Sequence, residues 1–291
     1  MAQTYKVTQR GKLLPYLFEI LAENEGWSKK TVKQRLQSGT ILVNGEVQKK
    51  HDYIISVGDT VQIGIAQRTG HHTNKQALKL EIIYQDKDLI AINKPVGLLS
   101  VGTTKENKQH ALALLRAQLS RGKKADNIKL WPVHRLDRET SGILLFATSK
   151  ELREAVMDKW WKSEKNYLAI VEGTPKVEKD TIDQPMKLDE KEYRMHVGLQ
   201  KFSKPAITHY EVLESKNKRS LLKVNIETGR QHQIRAHMAW MGTPIVGDER
   251  YGKKGGRMGL HASKLVFFHP STEEKITLEV EAPRDFYELL K

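Results

Sequence analysis

His134-Arg135-Leu136-Asp137-Arg138-Glu139-Thr140-Ser141-Gly142-Ile143-Leu144-Leu145-Phe146-Ala147 is the stretch on which the reading of this chain turns. Its second half, Ile143 to Ala147, is a continuous apolar run of the kind that fits a strand buried on both faces inside a sheet. Thr140-Ser141-Gly142 predicts a turn just ahead of that strand, so Asp137 falls on the loop that feeds it. Loops held by a rigid core are common positions for reactive groups. Arg135 and Arg138 flank the carboxylate, and cations so placed favour an acid's charged form and attract phosphate. The plainer alternative is that Asp137 pairs with one of these arginines only to fix the loop.

Outward from this strand, the signals alternate irregularly. Residues 81–84 and 89–92 predict strands on either side of Asp86-Lys87-Asp88, and further strands are expected at 143–147, 166–171, 206–213, 219–226 and 276–280. Ala111, Leu112, Leu115 and Leu119 share one helical face. Hairpin-like neighbours with unevenly placed helices predict an α+β fold, with a mixed, largely antiparallel sheet and flanking helices.

The first part of the chain reads differently. Leu13, Leu14, Leu17, Phe18 and Leu21 form an apolar helical stripe. Ser28 then caps a second helix in which Val32 and Leu36 face inward, Lys29, Lys30, Lys33 and Arg35 project elsewhere, and Gly39 marks the end. Asn44-Gly45 after Ile41-Leu42-Val43 predicts a type I′ hairpin, since both residues tolerate positive φ. Val57-Gly58-Asp59 makes another turn before the alternating Val61, Ile63 and Ile65. Between Ser28 and Lys50 six Lys/Arg face a single acid, Glu46. The expected organisation is therefore a small basic domain at 1–66, a polar linker at 67–78 and a second domain at 79–291. His71-His72 in the linker lacks the further ligands that a structural metal site needs, so no metal is expected.

Composition narrows the class of partner. The chain of 291 residues carries 49 Lys+Arg against 35 Asp+Glu, a formal charge of +14, which predicts attraction to a polyanion. It has no cysteine, which excludes disulfides and thiolate metal sites and suits a reducing cytoplasm. The start of the sequence lacks an apolar signal segment, and no run reaches the roughly 18 apolar residues that span a bilayer. A cytoplasmic monomer that does not engage membranes is the expectation.

Two resemblances sharpen this. The basic helix, Gly39, the following strand, Asn44-Gly45 and Val57-Gly58-Asp59 resemble the alpha-L RNA-binding domain of a small-subunit ribosomal protein and several RNA-modifying enzymes. That resemblance implies RNA contacts from Lys29, Lys30, Lys33 and Arg35. The stretch from His134 through the apolar strand resembles the catalytic motif of the RluA-type pseudouridine synthases. The series continues through Asn93-Lys94-Pro95-Val96-Gly97-Leu98, Lys165-Asn166-Tyr167-Leu168-Ala169, Lys204-Pro205-Ala206-Ile207-Thr208, Thr228-Gly229-Arg230-Gln231-His232-Gln233-Ile234-Arg235-Ala236-His237, Gly242-Thr243-Pro244-Ile245-Val246-Gly247-Asp248 and Leu260-His261-Ala262 through His269-Pro270. One departure follows Gly97, where many relatives carry a histidine and this chain reads Leu98-Leu99-Ser100-Val101. It bears on the contact that this loop makes with RNA.

The second resemblance implies a pseudouridine synthase catalytic fold and a cofactor-independent reaction on RNA. Asp137 would act at C1′ or C2′ of a uridine, Tyr167 would stack on uracil, and Arg235 would pair with the carboxylate. A covalent ester and a glycal route both remain open, and a core role for the tyrosine is the alternative to a catalytic one. Arg135 is the candidate for extruding the base and equally a candidate phosphate contact, with further phosphate contacts from Lys94 and Arg230 and weaker ones from Lys253, Lys254 and Arg257. Large-subunit ribosomal RNA is the expected substrate, with transfer RNA as the other possibility. The competing classes are a catalytically silent RNA-binding ribosome-assembly factor and a hydrolase that releases uracil.

Overall fold

A computed structural model describes residues 3–63, 78–103, 109–120, 128–253 and 255–291. The chain divides into two compact units, Met1–Ala77 and Leu78–Lys291. His71-His72, Ile65 and most of the expected linker lie outside the described residues.

The first unit contains β1 (Gln3–Lys6), β2 (Gly11–Lys12), α1 (Leu13–Glu25), α2 (Lys29–Gln37), β3 (Ile41–Val43), β4 (Glu46–Val47), β5 (Ile54–Ile55) and β6 (Thr60–Ile63). Strands β1, β6, β3 and β4 form one sheet in that order, and β2 pairs with β5. Leu13, Leu17 and Leu21 of α1 pack on Val32, Leu36, Ile41, Val43 and Val61, which makes the apolar stripe the core of this unit. Ser28 Oγ accepts from Thr31 N at 3.2 Å and satisfies an amide that the helix leaves unpaired. Asn44 and Gly45 take φ of 52° and 85°, as the hairpin turn requires. Asn44 also donates to Asp59 Oδ1 and accepts from Thr60 N, tying this turn to the next.

The second unit contains β7 (Glu81–Gln85), β8 (Leu89–Lys94), α3 (Ala111–Leu119), β9 (Trp131–Pro132), β10 (Ser141–Ala147), α4 (Lys150–Asp158), β11 (Glu164–Glu172), β12 (Lys179–Asp183), β13 (Met186–Asp189), β14 (Arg194–Val197), β15 (Ile207–Lys216), β16 (Arg219–Ile226), α5 (Gln233–Trp240), β17 (Leu260–Phe268), β18 (Lys275–Glu279) and α6 (Arg284–Tyr287). The main sheet runs β12-β15-β16-β11-β17-β10-β8-β7, with β18 beside β17 and β9 beside β10. The β10–β17 pair is parallel and its other pairs are antiparallel, the mixed sheet that the α+β reading expects.

β10 explains its own sequence. Leu144 and Phe146 pack under α3, whereas Ile143, Leu145 and Ala147 pack under α4, so neither face meets water. The expected turn at Thr140-Ser141-Gly142 is a correction: the turn lies at Asp137–Thr140, closed by Thr140 N on the Asp137 carbonyl at 3.2 Å, and Ser141 and Gly142 are already strand. The strand starts early because Ser141 and Gly142 form the whole parallel contact with β17. A Cβ on Gly142 would stand 2.2 Å from the Ala262 carbonyl oxygen, so the close approach excludes any side chain.

Helix α5 covers the half of the sheet around Ala169, Leu222, Val224 and Leu260, while α3 covers the half around Ile92, Leu144 and Phe146. Tyr167 packs against both clusters and marks the boundary between the covered halves.

Candidate active site

The Asp137 loop is held from beneath by the segment that follows β8. Ser100 Oγ donates to the Leu136 carbonyl at 2.7 Å and accepts from Leu136 N at 3.0 Å, clasping one residue by both its backbone groups. Gly97 N donates to the Arg138 carbonyl at 2.8 Å. Lys94 Nζ reaches the carbonyls of Pro95, Leu98 and Arg138 at 3.0, 2.8 and 3.3 Å. Lys94 is fully buried, so its expected role as a phosphate contact is a correction: the ammonium is consumed inside the protein. Burial pulls its pKa down to about 7, against the pull of Glu139 and Asp137. The Leu98-Leu99-Ser100 departure is likewise internal, since Leu98 and Ser100 are both buried.

Arg235, on the first turn of α5, joins two carboxylates. Its Nη1 donates to Asp137 Oδ2 at 2.8 Å, while Nε and Nη2 make a fork on Asp248 at 2.7 and 2.9 Å. Burial opposes the guanidinium charge, but the two carboxylates outweigh it and raise the Arg235 pKa above its usual value. Burial alone would push Asp248 up, and the hydrogen bonds and charge of Arg235 reverse this and hold it low. Asp248 also accepts from the amides of Arg250 and Tyr251, which fixes it relative to its own loop. The fork is therefore a rigid mount for the guanidinium. Arg235 and His232 both approach Oδ2 of Asp137, at 2.8 and 3.8 Å, and Oδ1 has no hydrogen-bond partner among the described residues.

Asp137 shares one cleft with Arg135, Tyr167, Arg230, His232 and Arg235. Three segments distant in sequence thus converge: the loop before β10, the middle of β11 and the start of α5. Tyr167 is half-buried, and desolvation together with the Asp137 charge raises its pKa and keeps the phenol protonated. Arg135 and Arg230 are exposed at the cleft, with Arg230 Nε anchored on the Pro205 carbonyl at 2.9 Å.

Other expected contacts are placed elsewhere. Arg257 Nη1 pairs with Asp285 at 2.8 Å and Nη2 donates to Ser141 at 3.0 Å, so this cation ties the C-terminal segment to β10 and its expected RNA contact is corrected. Lys253 is exposed, and Lys254 lies outside the described residues. His237 bonds Thr208 Oγ1 and the Gln184 carbonyl, away from Asp137. In the first unit Lys29, Lys30 and Lys33 are exposed and line one shallow groove with Gln34 and Gln37. Arg35 instead lies over the Trp27 ring at 5.1 Å, where it is partly covered.

Reading the sequence alone left out Asp248, Ser100 and the contacts of His232. Asp248 carried one signal, its position in a segment that resembled the family pattern. Among the described residues, metal-type ligand atoms cluster only at exposed or partly exposed Asp189, Glu192 and His196, on the β13–β14 hairpin.

Comparison with known proteins gives a consistent result. The profile of the RNA pseudouridylate synthase family matches residues 88–240. The chain is 32% identical to a protein of Bacillus subtilis named uncharacterized RNA pseudouridine synthase YlyB, over 94% of this chain and 92% of that one. It is 30% identical to ribosomal large subunit pseudouridine synthase D of Xanthomonas campestris, over 91% and 84% of the two chains. It is 37% identical to tRNA pseudouridine synthase C of Haemophilus ducreyi, over 69% and 90%. Among solved structures, human RNA pseudouridylate synthase domain containing 4 superposes with a TM-score of 0.60 at 25% identity, covering 72% of this chain and 91% of that one.

Proposed function

Because the chain belongs to the RNA pseudouridine synthase family, whose members are isomerases that convert uridine to pseudouridine in RNA, we propose that it acts on large-subunit ribosomal RNA through Asp137. The single observation that carries the residue assignment is the Asp137–Arg235–Asp248 chain in a cleft that also contains Tyr167. A carboxylate mounted by one oxygen keeps the other for the ribose. Asp137 Oδ1 either attacks C1′ as the N1 glycosidic bond breaks or removes a proton from C2′. Both routes free the uracil to turn and to rejoin C1′ through C5, with the Asp137 ester displaced on the first route and the proton returned to C2′ on the second. The proton lost from C5 is balanced by one gained at N1.

Arg235 holds the carboxylate at a fixed angle through the bond on Oδ2. Tyr167 offers its ring face to the uracil and, as a protonated phenol, a hydrogen-bond donor. Arg135 and Arg230 on the exposed side of the cleft engage the backbone of a nucleotide drawn from its stack, which costs a few kcal/mol of lost stacking. Residues 1–66 form an alpha-L domain that adds affinity through Lys29, Lys30 and Lys33, and residues 79–291 hold the catalytic machinery. The protein works as a cytoplasmic monomer without a cofactor.

The preference for ribosomal over transfer RNA is supported by the full-length likeness to a large-subunit enzyme and by the basic helix α2, whereas the likeness to a transfer-RNA enzyme spans 69% of the chain. The test is to mix the purified protein with total RNA from a strain that lacks it and to map the products. New pseudouridine within large-subunit ribosomal RNA is expected. Modification confined to transfer RNA would overturn the substrate assignment, and release of free uracil would overturn the isomerisation.

A further inference from the structure

His232 stands beside Asp137 with both ring nitrogens accounted for, and the groups around it determine which of them carries the proton. It precedes α5 in the left-handed conformation, with φ of 51°, and its carbonyl accepts from Ala236 N at 2.9 Å. That unusual backbone turns the ring into the cleft, where Nε2 lies 3.8 Å from Asp137 Oδ2 and the side chain is 11% exposed. Nδ1 lies 3.1 Å from the hydroxyl oxygen of Tyr251.

Tyr251 fixes the direction of that bond. Its oxygen already accepts from Met195 N of β14 at 2.7 Å. Its ring is buried and held by cations, with Arg194 at 5.2 Å and Arg235 at 5.4 Å from the centroid. If the hydroxyl hydrogen pointed elsewhere, a buried donor would lose its partner, which costs on the order of 1–3 kcal/mol. Tyr251 O–H therefore donates to His232 Nδ1. A neutral imidazole that accepts at Nδ1 carries its hydrogen on Nε2, the atom that faces Asp137.

We infer that His232 is a positioning residue for Asp137, locked by Tyr251 as the neutral Nε2–H tautomer so that a second donor, beside Arg235, is aimed at Oδ2. The inference rests on the reading of Asp137 as the reacting carboxylate. With Arg235 and His232 both directed at Oδ2, rotation of the carboxyl group about its own axis is blocked, and Oδ1 is presented to the ribose in one orientation. The groups facing His232 are Asp137, Arg235, Arg250, Asp248 and Tyr251. Burial and the two arginines disfavour a second proton on the ring, the carboxylates favour it, and the balance keeps the imidazole neutral.

The tautomer is read directly by nitrogen NMR of the histidine rings in the full-length protein, with the His232 signal identified by its loss in His232→Gln. A protonated Nε2 and an unprotonated Nδ1 at neutral pH are expected, and Tyr251→Phe should give a mixture. A ring protonated at Nδ1 in the wild type would overturn the inference without reference to activity. On the kinetic side, His232→Leu should slow single turnover on the order of 10²-fold while RNA affinity stays within about twofold. His232→Gln, which returns an N–H near the same place, should recover most of that loss. An unchanged rate in His232→Leu, or a Gln variant as slow as the Leu variant, would sink the positioning role. Asp137→Asn serves as the control: if it turned over normally, the underlying reading would fail, whereas an inactive Asp137→Asn beside a fully active His232→Leu would leave that reading standing and remove only this inference.

Discussion

The basic helix of the first unit and the cationic cleft of the second use positive charge in opposite ways. On α2, Lys29, Lys30 and Lys33 are exposed side chains with no carboxylate in the first turn to hold them. In the cleft, Arg235 is buried and bound to two carboxylates by three hydrogen bonds. A mobile exposed cation attracts phosphate over a distance set by salt, whereas a buried and paired one has no charge to spare for phosphate and instead fixes geometry. Under the proposed function, the first kind of charge would govern affinity and the second would govern rate.

The difference can be broken at either end. The largest effect is expected from Asp137→Asn, which should reduce tritium release from C5-labelled uridine in RNA by on the order of 10⁴-fold or more, with RNA affinity largely kept. Wild-type-like release would remove Asp137 from the chemistry. Next, Arg235→Leu should strip Asp248 of its counter-ion and destabilise the second unit by about 3–5 kcal/mol, as broken buried pairs do. Arg235→Lys should keep the charge, lose the fork and fall between the two in thermal unfolding and single-turnover rate. A lysine variant indistinguishable from wild type would show that the bidentate mount is unimportant.

A smaller effect separates the units by salt. Replacing Lys29, Lys30 and Lys33 together with Ala should reduce the slope of log affinity against log salt by about 2–3 and leave the rate at saturating RNA unchanged. An unaltered slope would show that α2 does not touch phosphate.

The smallest effect concerns pH. His261 is fully buried, accepts at Nδ1 from Ser141 and faces the Val280 carbonyl with Nε2, and burial lowers its pKa from 6.5 to about 4. As pH falls below 6.5 the unfolded chain takes up a proton that the folded ring refuses until about 4. Stability is thus lost across that window on acidification, by up to about 1.4 kcal/mol per pH unit for one ring. Chemical unfolding of His261→Gln should show a shallower acid dependence than the wild type, and an equal slope would contradict the assignment.

What the sequence disclosed follows the same division. Strands β7, β8, β10, β11, β15 and β16, helices α1 to α3 and the Asn44-Gly45 turn lie at or close to their expected positions, because each writes its environment into a local pattern. β17 was legible only as a resemblance: His261, Ser263 and Lys264 interrupt its apolar pattern, and its parallel contact depends on a glycine more than a hundred residues away. Arg235 and Asp137 were foreseen as a pair by resemblance, and the structure brings them to 2.8 Å. The burial of Lys94 had no local signal, since a lysine that feeds three carbonyls is written like one that meets solvent. Asp248 was hidden for a related reason, because a lone acid in a loop says nothing about which cation it will mount.

Gly142 and Ala262 pair across β10 and β17, and Ala262 pairs in turn with Tyr167 across β11. One row of residues thus gauges the span between the strand that carries Asp137 at its entrance and the strand that carries Tyr167. A single methyl group at position 142 would collide with the Ala262 backbone and push β10 away from β17, and with it the Asp137 loop away from Tyr167. The missing side chain therefore acts as a spacer of zero thickness, and the separation of the Asp137 loop from Tyr167 is set by an atom that glycine lacks.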